Sequence, residues 1–276
     1  MKANDLTLNS SSIAFNGSLI LNSLSINSLN NDIPVLITAM GYLEVKSNLT
    51  ASCSKLVNRG HLKVSGKFKS LNSKLVNEKN LNFDQCRVEC NELINKSILQ
   101  IKNSSGAINH LNNKGPFQMN KSNIKTMTAI NSDSDFALTS NSTLTAEKSF
   151  LNEEVGIIKI DGSVLKGASF INQGKLTLKN SQPTSTGMGQ LKLTNSSRLQ
   201  LKDVINKGYI HIIGSFVDTK SLNNKNQLIM EESKCSSDKI QNEQSGFFSL
   251  QNCSLLCLSL INENHWVDEK GEYSIE

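Results

Sequence analysis

The sequence predicts an all-β fold, a β-solenoid, and three observations lead to it. Short motifs recur every 18–20 residues along most of the chain. Inside each copy the apolar residues are spaced by two, which is strand periodicity and puts them on one face. An asparagine stands at a fixed offset from those apolar positions. A repeat of this length with strand periodicity cannot bury its own apolar face, so copies must stack and cover one another.

The repeat is plainest in "KLVNRGHLKVSG" from Lys55 and "KLVNEKNLNFDQ" from Lys74. Aligning copies on the asparagine gives Asn58, Asn77, Asn95, Asn113, Asn131, Asn152, Asn172, Asn206, Asn224, Asn242 and Asn262. Ala39 and Gly187 fit two further slots without asparagine, for about thirteen rungs. The chain holds 35 asparagines in 276 residues, so chance would fill fewer than two of those slots. Two residues before the asparagine lies an apolar residue, as at Leu56, Leu75, Leu93, Phe150 and Val204. Four and six residues after it lies an inward pair, as at Leu62 and Val64, Leu99 and Ile101, or Ile210 and Ile212.

The asparagine itself has a physical rationale. A buried amide is costly unless its donors and acceptor are paired. In stacked identical turns each carboxamide can bond the one above and the one below, as in stacked in-register chains. Two residues later glycine recurs, at Gly41, Gly60, Gly115, Gly174, Gly189 and Gly208. The reading for these glycines is a tight turn needing positive φ.

The repeats span residues 37–262. Residues 1–36 keep the alternation but lose the period, as degenerate N-terminal rungs or a cap. Residues 263–276, with Trp266 and several acids, read as a C-terminal cap or terminal strand with a charged edge.

Composition narrows the function classes. The net charge is +5, with lysines scattered rather than clustered and few aromatics between them. That pattern is a solvated, mildly basic surface, so no nucleic-acid partner is expected. No apolar run reaches the ~20 residues of a membrane span. The opening "MKANDLTLNSSSIAF" has no apolar region of the kind a secretory signal carries. This start fits a cytoplasmic chain, one exported without a cleaved signal, or a piece of a longer exported protein.

Little in the sequence assembles chemistry, and no cofactor or metal is expected. Cys53, Cys90 and Cys257 lie five residues before the next slot asparagine, and Cys86 and Cys253 lie nine before it. Shared offsets point to small buried thiols in the wall of the coil. His61, His110, His211 and His265 fall at different offsets, so the repeat places no pair together. The best enzymatic candidate is an acidic patch of Asp133, Asp135, Glu153 and Glu154 in neighbouring turns. Paired carboxylates of that kind serve polysaccharide lyases and hydrolases.

The motif Leu-x-Asn-x-Gly-x-Leu-x-Val, seen in "LVNRGHLKV", "LNNKGPFQM", "FINQGKLTL" and "VINKGYIHI", resembles the repeats of filamentous-haemagglutinin-like bacterial exoproteins. The resemblance covers roughly residues 37–268. It implies a right-handed parallel β-helix and a non-enzymatic adhesive role, outside the cell or on its surface. It also implies glycans or host surface proteins as partners. The other readings are a carbohydrate-active enzyme on the same fold and an intracellular interaction scaffold.

Overall fold

The computed structural model describes residues 2–9, 13–15, 17–27, 35–39, 42–179, 198–264, 266–269 and 272–275. Every regular element among them is a β-strand, and every pairing with an assigned register is parallel. Met1–Ala129 and Ile130–Glu276 form two compact units. Both are coils of a β-solenoid, with about eleven turns in all.

Each turn alternates a short strand with a long one, and strands pair with their counterparts two elements along the chain. In the second unit the long strands Thr143–Asn152, Val164–Asn172, Arg198–Asn206, Phe216–Asn224, Lys234–Asn242 and Ser254–Asn262 stack in that order. The short strands Asp135–Thr139, Ile157–Asp161, Lys175–Lys179, Tyr209–Ile213, Gln227–Glu231 and Phe247–Gln251 form the parallel stack beside them. The first unit follows the same plan, with His61–Asn77 and Asn80–Asn95 each running a short and a long segment together. Within most long strands the register skips one residue, four before the slot asparagine, as at Asn91 against Asn109 and Lys202 against Lys220. That skip is a corner, and it divides the long strand into two straight segments.

Strand alternation fills the interior. Leu43, Leu62, Leu81 and Leu99 form one buried column in the first unit. Phe136, Phe150 and Phe170 meet ring to ring in the second, at centroid separations of 5.4 and 5.7 Å. Each such side chain contributes about 1.5–3 kcal/mol by leaving water.

Two expected slots are corrected by the register. Ile37, not Ala39, aligns with Asn58. Ile37 is fully buried, so an apolar side chain takes the asparagine's place there. Asn172 pairs directly with Asn206, so no turn intervenes between them. Gly187 and Gly189 lie, with Gly41, outside the described residues. The rung at Ile37 stays while no turn separates Asn172 from Asn206, and the coil has about eleven turns against the expected thirteen.

The strands flanking the repeats join the stack as well. Lys2–Asn9 pairs with Ser18–Asn27, which pairs with Tyr42–Ser52. At the other end Trp266–Glu269 lies on Phe247–Gln251, and Glu272–Ile275 lies on Ser254–Asn262.

Candidate functional site

The slot asparagines build a ladder in each unit. In the first unit the Nδ2 of Asn58 donates to Oδ1 of Asn77, Asn77 to Asn95, and Asn95 to Asn113, each at 2.8 Å. In the second unit the run is Asn131, Asn152, Asn172, Asn206, Asn224, Asn242 and Asn262, with separations of 2.7–3.1 Å. All but Asn262 are fully buried. In nearly every slot the amide also donates to a turn carbonyl, for example Asn152 to Gly156 at 2.9 Å and Asn206 to Gln227 at 2.9 Å. Both donors and the acceptor of the buried amide are thus satisfied inside the coil.

The turn glycines do a different job from the one expected. None of Gly60, Gly115, Gly174 and Gly208 has positive φ. Glycine is needed there because the turns stack closely: a Cβ at Gly115 would overlap the Ser97 backbone, and one at Gly174 would overlap the carbonyls of Glu153 and Gly156.

Positive φ falls at another corner, just after the short strand. Gln85, Asn103, Lys121, Asn141, Gly162, Gly214, Glu232 and Asn252 all adopt it. The residue after each is serine or cysteine: Cys86, Ser104, Ser122, Ser142, Ser163, Ser215, Ser233 and Cys253. These form a second ladder, which the abundance of serine conceals in the sequence. The backbone N–H of Ser104 donates to Ser122 Oγ at 3.1 Å, and that of Ser215 to Ser233 Oγ at 3.1 Å. The hydroxyls then donate to the carbonyl two residues back, as Ser233 does to Glu231 at 2.7 Å.

The cysteines follow from this. Cys86 and Cys253 occupy serine-ladder positions, and the Cys253 thiol donates to the Gln251 carbonyl at 3.3 Å. Cys90 stands where Thr126, Thr219 and Ser237 stand in other turns, each donating to the carbonyl two residues on. Cys235 packs in an apolar column between Val217 and Leu255. All six thiols are buried and none is in a disulfide. Burial pushes the thiols of Cys86, Cys90 and Cys235 up to about 12.

The candidate acidic patch lies on successive turns of the second unit. Asp133 and Asp135 follow Asn131, and Glu153 and Glu154 follow Asn152, with the Glu153 N–H donating to the Asn131 carbonyl. Asp135 spends its carboxylate on Lys159 at 2.9 Å. Among the described residues no group of three or more His, Cys, Asp or Glu side chains is placed to hold a metal ion. His61 and His211 have separate partners, Asn80 at 2.7 Å and Glu231 at 2.9 Å.

Outside the coil, polar side chains stack in columns. Just after the slot asparagine, Glu78 sits between Arg59 and Lys96 at 2.9 and 3.3 Å. The Arg59 guanidinium, then Lys96, hold its carboxyl below the usual range. On the short-strand face of the first unit, Tyr42, His61, Lys63, Asn80, Asn82 and Gln100 line a shallow groove of about 290 Å³. Lys63 bridges Glu44 at 3.4 Å and Asp84 at 3.8 Å along its wall.

The fold and these columns define the class: a β-solenoid repeat protein whose repeated polar residues form internal ladders. Comparison with protein-family models, curated proteins and solved structures gives no match.

Proposed function

We propose that the chain is a non-enzymatic structural and adhesive β-solenoid module, a bacterial surface or secreted protein or a segment of one. The observation that carries this reading is the ladder. The residue most faithfully repeated faces inward and bonds to its own copies, so the repeat serves the scaffold. The outward columns, by contrast, change residue from turn to turn, as in the series Arg59, Glu78, Lys96. A stable coil with a varied polar exterior suits many weak contacts to glycans or host surface proteins. Resemblance of the repeat to haemagglutinin-like exoproteins supports the same role.

The test is binding of the purified chain to immobilised glycans and host surface proteins, paired with protease shaving of intact source cells. Saturable binding and cleavage at the cell surface are expected. Protection from shaving, with the chain in the cytosol, would overturn the surface role. It would favour an intracellular interaction scaffold, a reading that six buried thiols outside any disulfide also suit. Release of reducing ends from a polysaccharide, abolished by Asp133→Asn with Glu153→Gln, would replace both with a carbohydrate-active enzyme.

A further inference from the structure

Stacking gathers cations that are scattered in the sequence. On the outward face of the first segment of the long strands, Lys67 pairs in register with Arg87, and Arg87 with Ser105. Asn123 follows, its N–H donating to the Ser104 carbonyl. The adjacent outward column runs Lys69, Glu89, Ala107, and Lys125 lies beside it. Successive residues in such a column are ~4.8 Å apart.

Four cations thus share one face with one acid. Glu89 bonds Arg87 at 3.0 Å and lies 3.7 Å from Lys67. Lys69 and Lys125 are exposed and have no ion-pair partner among the described residues. Arg87 keeps 71% of its side chain in solvent. Between Arg87 and Lys125 the small residues Gly106 and Ala107 leave a notch of about 350 Å³, edged by Ser105, Asn123 and Glu89. At the neighbouring corner the pairing breaks between Ser70 and Lys74. Leu71 there stands 46% exposed, two residues from Lys69.

We infer that this face of the first unit docks on an anionic phospholipid surface, with a headgroup phosphate in the notch between Arg87 and Lys125 and Leu71 at the acyl boundary. The inference goes beyond the adhesive reading and does not depend on it. Charge complementarity selects an anionic partner, because each lysine or arginine near an anionic bilayer adds attraction. The notch offers hydroxyl and amide donors beside two cations, the set that phosphate oxygens accept from, and its one carboxylate, Glu89, is already bonded to Arg87. The exposed leucine selects a bilayer over a nucleic acid or a free anion, which give it nothing to enter. The outward positions of these two columns hold no aromatic ring on which bases could stack.

The experiment is co-sedimentation of the full chain with vesicles of phosphatidylcholine, with or without phosphatidylglycerol. Binding to the anionic vesicles alone is expected, weakening as salt rises. Arg87→Glu with Lys125→Glu should weaken it by well over tenfold, since removing one cation alone costs about fivefold. Lys79→Glu with Lys114→Glu changes net charge equally elsewhere on the unit and should leave most of the binding. Leu71→Ser should weaken binding without changing its salt dependence. If charge reversal unfolds the chain, Arg87→Gln with Lys125→Gln replaces it. Absence of anionic-vesicle binding, or equal loss in the control pair, would overturn the inference. So would tight binding to duplex DNA or a sulfated polysaccharide without vesicle binding.

Discussion

The side-chain amide of Asn206 donates to Oδ1 of Asn224 at 2.7 Å, and both residues are fully buried. Asn206 also donates to the Gln227 carbonyl, and its own oxygen accepts from Asn172 and from the Gly208 N–H. One side chain therefore ties its own turn to the turn before and the turn after.

Replacing it tests that role. Asn206→Leu leaves the Asn172 amide, the Asn224 oxygen and the Gln227 carbonyl short of partners in the interior. The expected loss is about 1–3 kcal/mol, read by chemical denaturation. An unchanged midpoint would show that the ladder adds nothing to stability.

The two corners should respond differently. Gly115→Ala forces the stacked turns apart and should destabilise, whereas Glu232→Gly relieves a positive φ of 50°. That conformation costs a residue with a Cβ about 1–2 kcal/mol, so a modest rise in melting temperature is expected. The reverse pattern would contradict the assignment of the two corners.

Thiol reactivity should report burial. With Cys86, Cys90 and Cys235 pushed up to about 12 from an ordinary 9.0, roughly one in ten thousand is thiolate near pH 8. A disulfide-exchange reagent should leave them unmodified in the native chain and react with all six thiols after unfolding. A raised thiol favours the folded state fully below its ordinary value. That contribution disappears as pH climbs from about 9 toward 12, because the unfolded thiols ionise first. Rapid native labelling would contradict the packing.

The Arg59, Glu78, Lys96 column works in the opposite pH range. Glu78 is held below its ordinary value, so its contribution is present above that value and lost as pH falls through the lowered one. The groups are half-exposed, so the effect stays below about 1 kcal/mol. Glu78→Gln should reduce the acid dependence of stability slightly, and added salt should mask the difference.

Some of this was legible in the sequence and some was not. The asparagine ladder was, because Asn113 and its counterparts keep one offset from Leu111 and its counterparts through every full turn. The serine ladder was hidden by abundance. Cys86 and Cys253 flagged its offset, nine before the next asparagine, but serine is too common for Ser104 or Ser233 to stand out. The place for positive φ was misjudged because glycine signals both conformational freedom and close approach. At Gly115 it is close approach, while Lys121 and Glu232 carry the positive φ without any glycine signal. The slots at Ala39 and Gly187 failed because local motif matches cannot see register. Only pairing shows that Ile37 meets Asn58 and that Asn172 meets Asn206. The basic face was invisible for the same reason, since Lys67 and Lys125 become neighbours on one face only after several turns are stacked.

The most direct test of the account is side-chain amide hydrogen exchange, followed by NMR on the asparagine carboxamides of the native chain. An internal ladder gives a distinct set of strongly protected NH₂ groups, belonging to the fully buried slot asparagines from Asn58 to Asn242. Their protection should fall at Asn172 and Asn224 when Asn206 is replaced by leucine. Carboxamides that all exchange as fast as those of an unfolded chain would show that the asparagines face solvent, and the internal ladder would be wrong.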